Sequence, residues 1–283
     1  RLEGWVFSLG DRRRHEKNIP LLAIKCLHEL QHDDTMKSVC TKFLAAEGGE
    51  LFLKDLNITP VDSAALFEFL GNSKNLKRLC FVDCRIQGDY SYIKMVKSML
   101  NNPANSIVSL KLCRSCPTRI FKYLRDALKS KNCKLTSLDL GYNGITDGVA
   151  GCLSEAIKSG NCKLTSLDLH NNLISLIGAK YLSDAFKSGF CKLTSLNLRN
   201  NVIEDQSAEY LSEALKSGFC KLTSLDLRNN RIADQGAEYL SEALKSGNCK
   251  LTSLDLGNNI ITKKGAEYLS EALKSGNCKL TYW

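Results

Sequence analysis

The chain holds 283 residues, 43% of them hydrophobic and 24% charged, a globular balance that excludes disorder as a global description. No apolar run approaches the roughly 20 residues that a membrane-spanning helix needs. No signal peptide is visible, and an opening of Arg1-Leu2-Glu3-Gly4-Trp5 without Met is expected of a fragment. Two quantities call for a cause, a net charge of +9 and 13 cysteines.

In chain order, the spacing first predicts a helix over 18–31. Asn18 is placed to cap it and Pro20 lies near its first turn. Ile19, Leu22, Ala23, Cys26, Leu27 and Leu30 recur at helical spacing. A second short helix is expected over 35–44, with Met36, Val39, Cys40, Phe43 and Leu44 apolar.

From residue 48 onward the sequence repeats itself. The string Lys134-Leu-Thr-Ser-Leu-Asp-Leu-Gly-Tyr-Asn143-Gly-Ile145 returns almost unchanged, its leading leucine falling at Leu135, Leu164, Leu193, Leu222, Leu251 and Leu280. An asparagine follows at Asn143, Asn172, Asn201, Asn230 and Asn259. More diverged copies begin at Gly48, Leu76 and Ile107. In Leu-x-x-Leu-x-Leu the last two leucines alternate like a short strand with one buried face. The asparagine column is placed to satisfy backbone groups inside the turn. The second half of each unit, such as Ala237-Glu-Tyr-Leu-Ser-Glu-Ala-Leu-Lys-Ser-Gly247, reads as a helix: Ala237, Leu240, Ala243 and Leu244 form one apolar stripe and Gly247 is its C-cap.

This pattern resembles the leucine-rich repeat, and the long unit with a true helix resembles the ribonuclease-inhibitor-like subclass. The expected fold is therefore an α/β solenoid, a horseshoe of 28–29-residue strand–helix units with a parallel concave sheet and convex helices behind a short N-terminal helical cap. Residues 1–47 form one segment and 48–283 the repeat domain, eight repeats and a truncated ninth. The stretch Ile19-Pro-Leu-Leu-Ala-Ile-Lys-Cys-Leu-His-Glu-Leu-Gln31 resembles the helical segment that precedes such repeats in NOD-like receptors. That resemblance implies the C-terminal sensing or autoinhibitory region of a cytoplasmic innate immune receptor. Its partner would be a protein or pathogen-derived ligand, or the receptor's own nucleotide-binding domain. No Gly-x-x-x-x-Gly-Lys-[Ser/Thr] phosphate loop occurs, so nucleotide binding is not assigned to this chain. The alternative is a ribonuclease-inhibitor-like or effector-type scaffold that binds and regulates another enzyme.

Chemistry is not expected. Cys133, Cys162, Cys191, Cys220, Cys249 and Cys278 share one phase of the repeat and read as small buried thiols in a ladder, suited to a reducing cytosol. Cys113-x-x-Cys116 with Cys80 resembles a zinc spacing only superficially, because Cys84 takes the asparagine position and Cys80 and Cys113 fall on the open face out of phase. His170 neighbours Asp168, but Asp139, Asp226 and Asp255 fill the same column without any histidine, so the column reads as a solvated strand position. No Gly-x-Ser-x-Gly or His-Glu-x-x-His motif appears. No enzyme, cofactor, metal or membrane contact is assigned.

What remains is a surface. The columns beside the strand leucines vary within a copied framework, and the expected binding side chains on the concave face are Lys111, Tyr142, His170, Arg199, Arg228 and Arg231. Lys111, Arg114, Arg199 and Arg228 stand against Asp139, Asp168, Asp226 and Asp255, a neutral balance that fits poorly with a steered basic partner. The helices of 1–47 are expected to cover Phe52 and Val82. The aromatic end at Tyr282 and Trp283 is expected to self-associate weakly. The charge follows Lys-Ser-Gly-x-Cys-Lys turns away from the concave face, so it does not point to nucleic acid.

Overall fold

The computed structural model describes residues 19–29, 48–116 and 119–282. The chain forms two compact units, Arg1–Ser137 and Leu138–Trp283. In each, strand, turn and helix recur in the order the leucine period requires, giving an α/β leucine-rich-repeat solenoid with strands in one layer and helices in the other. Among the described residues no helix is long and apolar enough to cross a membrane.

The first unit opens with α1 (Ile19–Glu29), which carries Pro20 in its first turn and buries Leu21 and Ile24. Strands β1 (Glu50–Lys54), β3 (Arg78–Val82) and β5 (Ser109–Cys113) run parallel, with Leu51, Leu79 and Leu110 in one row and Leu53, Phe81 and Leu112 in the next. All six are buried. A smaller ladder joins β2 (Asn57–Ile58) to β4 (Arg85–Ile86). Helices α2 (Pro60–Asn72), α3 (Asp89–Asn101) and α4 (Ile120–Leu128) back the strands.

α2 starts at a capping box, in which Thr59 Oγ1 accepts from the Asp62 amide and the Asp62 carboxylate accepts from the Thr59 amide. Lys25 of α1 reaches the same carboxylate at 2.9 Å, and His28 of α1 bonds to Glu68. Burial pushes the Asp62 carboxyl up, but Lys25 and Thr59 outweigh it and hold the group below its ordinary value. These contacts seat α1 on α2 and the edge strand β1. They do not place it over the open face: Phe52, expected to be covered, is 49% exposed. The helix expected over 35–44 lies outside the described residues.

The second unit begins within β6 (Ser137–Asp139), which is followed in the sheet by β7 (Ser166–Asp168), β8 (Ser195–Asn197), β9 (Ser224–Asp226) and β10 (Ser253–Asp255), the last four running parallel, neighbour to neighbour. Helices α5 (Asp147–Ile157), α6 (Leu176–Phe186), α7 (Asp205–Lys216), α8 (Asp234–Lys245) and α9 (Lys263–Lys274) each pack on the next. The stripe Ala237, Leu240, Ala243 and Leu244 is at most 2% exposed, as its spacing predicts. Burying each such leucine stabilises the fold by about 1.5–3 kcal/mol.

Three ladders tie one repeat to the next. Asn201 Nδ2 donates to the carbonyls of Leu169 and Leu198 while its Oδ1 accepts from the Ile174 amide, and Asn172 and Asn230 repeat the scheme. In the first unit Cys84 occupies the same position and turns its thiol to the Leu53 carbonyl. A second ladder in the second unit stacks Cys162, Cys191, Cys220 and Cys249, all buried. Burial pushes the Cys191 thiol up to about 11.

The third ladder joins the starts of neighbouring helices. Asp205 Oδ1 accepts the amides of Ala233 and Gly236 at the start of α8, and Asp234 Oδ1 accepts those of Thr262 and Gly265 at the start of α9. A Cβ at Gly236 or Gly265 would stand 2.6 Å from that carboxylate oxygen, so glycine there is a steric requirement of the preceding aspartate. Leu176 takes the aspartate position in α6, and one repeat later Ser207 takes the glycine position, its hydroxyl buried without a partner.

The last repeat is less buried than those before it. Leu256, Ile261, Leu269 and Leu273 line an apolar cleft of about 330 Å³ together with Leu244, Leu254 and Leu280. Their counterparts Leu227, Ile232, Leu240 and Leu244 are at most 2% exposed.

Candidate interaction face on the parallel sheet

The face of the second unit is built from the residues that follow each buried strand leucine. The first column is Asp139, Asp168, Asn197, Asp226 and Asp255, and each side-chain oxygen accepts the amide two residues on: Gly141, His170, Arg199, Arg228 and Gly257. The repeated aspartate is therefore a half-buried turn acceptor, which corrects its reading as a merely solvated position. Asn197 does the same work in its turn, and that interchange was the sequence signal for an acceptor role.

The second column is Gly141, His170, Arg199, Arg228 and Gly257. His170 Nδ1 bonds to Asp168 Oδ1 at 2.6 Å, and its ring meets Tyr142 edge-on with centroids 5.1 Å apart. The ring occupies the space a side chain at Gly141 would take, since a Cβ there would lie 2.1 Å from His170 Cε1. Arg228 lies beside Gly257 at ordinary contact distance, its Cγ and Nε 3.6 Å from where a Cβ would be. Its Nε is buried without a hydrogen-bond partner. Only the glycine at Gly141 makes room for a larger neighbour, the His170 ring.

The third column is Tyr142, Asn171, Asn200, Asn229 and Asn258, all at φ between +52° and +58°. Asparagine tolerates this left-handed conformation, so its recurrence has a backbone cause. Tyr142 does not share that tolerance. Its neighbours along the row continue the parallel hydrogen bonding, Tyr142 N–H to the His170 carbonyl and Asn171 N–H to the Arg199 carbonyl. Beyond the turn, Leu173 and Ile260 are exposed, and Arg231 reaches Glu204 at 3.6 Å.

Electrostatically the face alternates. Burial pushes the Asp226 carboxyl up and Asp255 adds to the rise, while the Arg228 amide and the Arg199 charge oppose it. Asp139, Asp168 and His170 offer ligand atoms within 4.8 Å of one another, the one such group among the described residues. Asp168 is already engaged by the His170 ring, the His170 amide and Asn197 Nδ2, and Asp139 by Gly141. These bonds fit a group that orients the face, and we assign no metal to it. The cysteines weighed for zinc do not enter such a group; Cys80 and Cys113 are buried rather than open.

Of the residues selected from sequence, Tyr142 and His170 touch, Arg199 and Arg228 stand two residues beyond the neighbouring strands β8 and β9, and Arg231 lies farther round its turn. Lys111 sits on β5 in the first unit. Sequence reasoning missed Asp139 and Asp168 as parts of the same arrangement.

A family profile described as Leucine Rich repeat matches residues 131–153, 160–183, 191–212, 220–241 and 247–270. No curated protein matches the chain. Among solved structures, an internalin (InlF) from Listeria monocytogenes is 20% identical over 82% of this chain, with a TM-score of 0.45. TLR13, solved in complex with ssRNA13, is 22% identical over 69% of this chain, also with a TM-score of 0.45. The chain spans 66% of the internalin chain and 24% of the receptor chain. The matched segments coincide with the strand–helix units of the second unit and the end of the first, so the fold is a leucine-rich-repeat solenoid.

Proposed function

We propose that this chain is the ligand-sensing or autoinhibitory repeat region of a NOD-like receptor, and that it binds a protein or pathogen-derived ligand through the sheet face of its second unit. The observation that carries the binding site is Tyr142. A bulky residue sits at φ +58° in a row otherwise asparagine, against His170, whose column continues through the two arginine positions. Strain of roughly 1–2 kcal/mol is kept there, and such strain concentrates at functional positions. Tyrosine and arginine also dominate interface hot spots. The receptor assignment is supported by the sequence of residues 19–31 ahead of the repeats, helical over Ile19–Glu29, and we place the domain boundary at 47/48. Eleven free cysteines among the described residues support a reducing, cytoplasmic setting.

The test is a paired substitution. Arg199→Ala with Arg228→Ala is expected to lower partner affinity by at least tenfold, about 1.4 kcal/mol, with an unchanged circular dichroism spectrum. Unchanged affinity would remove this face as the site. A phosphate loop in the coding sequence upstream of Arg1 is the observation that tests the receptor assignment.

A further inference from the structure

The turns that carry each helix back to the next strand hold a second surface, away from the sheet face. Their middle position reads Asn132, Asn161, Phe190, Phe219, Asn248 and Asn277. Where it is asparagine it has structural work: Asn248 Nδ2 donates to the Lys216 carbonyl at the end of α7, and Asn277 Nδ2 to the Lys245 carbonyl at the end of α8. In two adjacent turns the chain gives up that bond and presents phenylalanines instead, each 59% exposed. The rings do not stand away from the protein. Phe190 lies along Gly160 and Phe219 along Gly189, so close that a Cβ on those glycines would touch ring carbons at 3.5 and 3.6 Å. They form a flat apolar strip along consecutive repeats.

Lysines flank the strip in each turn, and the acidic side chains near it, Asp184, Glu213 and Glu242, are taken up by ion pairs with Lys187 and Lys216. Residues 187–195 and 216–224, Lys-Ser-Gly-Phe-Cys-Lys-Leu-Thr-Ser in both copies, contain no acidic side chain. Lys187 and Lys216 are paired with Glu213 and Glu242 on the helices. Lys192 and Lys221, two residues beyond each phenylalanine, are exposed.

We propose that Phe190, Phe219, Lys192 and Lys221 dock an acidic segment of a partner protein that carries aromatic or aliphatic side chains between its carboxylates. Apolar contact is supplied by the two rings and charge complementarity by the two lysines. Rings laid back on the surface suit a chain lying along the strip rather than wedges entering a bilayer. The site is independent of the sheet face, and Arg199→Ala with Arg228→Ala leaves it unchanged.

The test uses the full chain and a random copolymer of glutamate and tyrosine as the probe, beside polyglutamate and mixed phosphatidylserine–phosphatidylcholine vesicles. Phe190→Asn with Phe219→Asn restores the residue of the neighbouring turns and is expected to melt no lower than the parent chain. It is expected to weaken copolymer binding by about tenfold or more, as is Lys192→Ser with Lys221→Ser. The parent is expected to prefer the copolymer to polyglutamate. The proposal is overturned by absent copolymer binding, by unchanged binding of the asparagine variant, or by equal binding of polyglutamate. Vesicle binding that the asparagine variant loses, without copolymer binding, would make the strip a lipid site instead.

Discussion

Asn229 sits at φ +54° in the turn after β9, and its amide bonds to the Gly257 carbonyl one repeat on. If the row of asparagines exists for that conformation, Asn229→Val costs about 1–2 kcal/mol because a β-branched side chain opposes the left-handed region. Asn229→Gly then costs only about 0.5 kcal/mol, a difference that urea melts of the two variants resolve. Asn201 makes a larger contribution. It is buried and satisfies two carbonyls and an amide that no water reaches. Asn201→Ala leaves those groups orphaned and is expected to cost at least about 3 kcal/mol, measured the same way. Both effects were legible in the sequence as a column. Which asparagine answers to the backbone and which to buried carbonyls was not, because the two differ by one position and only φ and burial separate them.

The coupling between repeats is clearest at the helix starts. Asp205 caps α8 through Gly236 and Asp234 caps α9 through Gly265, whereas Leu176 and Ser207 break the pair. Leu176→Asp alone places a carboxylate where the Ser207 Cβ crowds it. Ser207→Gly alone removes a buried unpaired hydroxyl but adds backbone freedom. Together they recreate the neighbouring arrangement. We expect the double variant to be more stable than the sum of the two singles by about 1 kcal/mol, a coupling read from a double-mutant cycle in urea. Each helix was legible from its leucine period, and the alternation of aspartate with glycine was present in the sequence. The contact spans 31 residues and joins two helices, so periodicity within one helix does not reveal it. The same limit hid the seat of α1, which rests on Lys25–Asp62 and His28–Glu68 rather than on its apolar stripe alone.

On the scale of the molecule, the buried thiols set an alkaline limit. The Cys191 thiol is pushed up to about 11 by burial, and burial also raises Cys220 and Cys249 above the ordinary 9.0. A thiol that stays protonated when folded and ionises when unfolded contributes its full stability below pH 9. That contribution is lost as pH rises through about 11. Unfolding free energy is therefore expected to fall steeply between pH 9 and 11, and Cys191→Ala is expected to flatten that fall in pH-resolved urea melts. A stability flat across that interval would contradict the burial of the ladder.

The net charge of +9 and the 13 cysteines trace largely to repetition. The same few positions recur in every turn, and the sequence by itself determined the strand–helix alternation, the buried leucines and the asparagine and cysteine columns. It could do so because each of these depends on spacing within one repeat and on the near-identity of its neighbours. Tertiary structure alone decided which exposed positions are engaged. It turned the repeated aspartate into a turn acceptor, joined His170 to Asp168 and Tyr142, left Phe52 uncovered and laid Phe190 and Phe219 along their glycines. Those outcomes depend on distances between repeats about 29 residues apart and on side-chain directions, which periodicity leaves open.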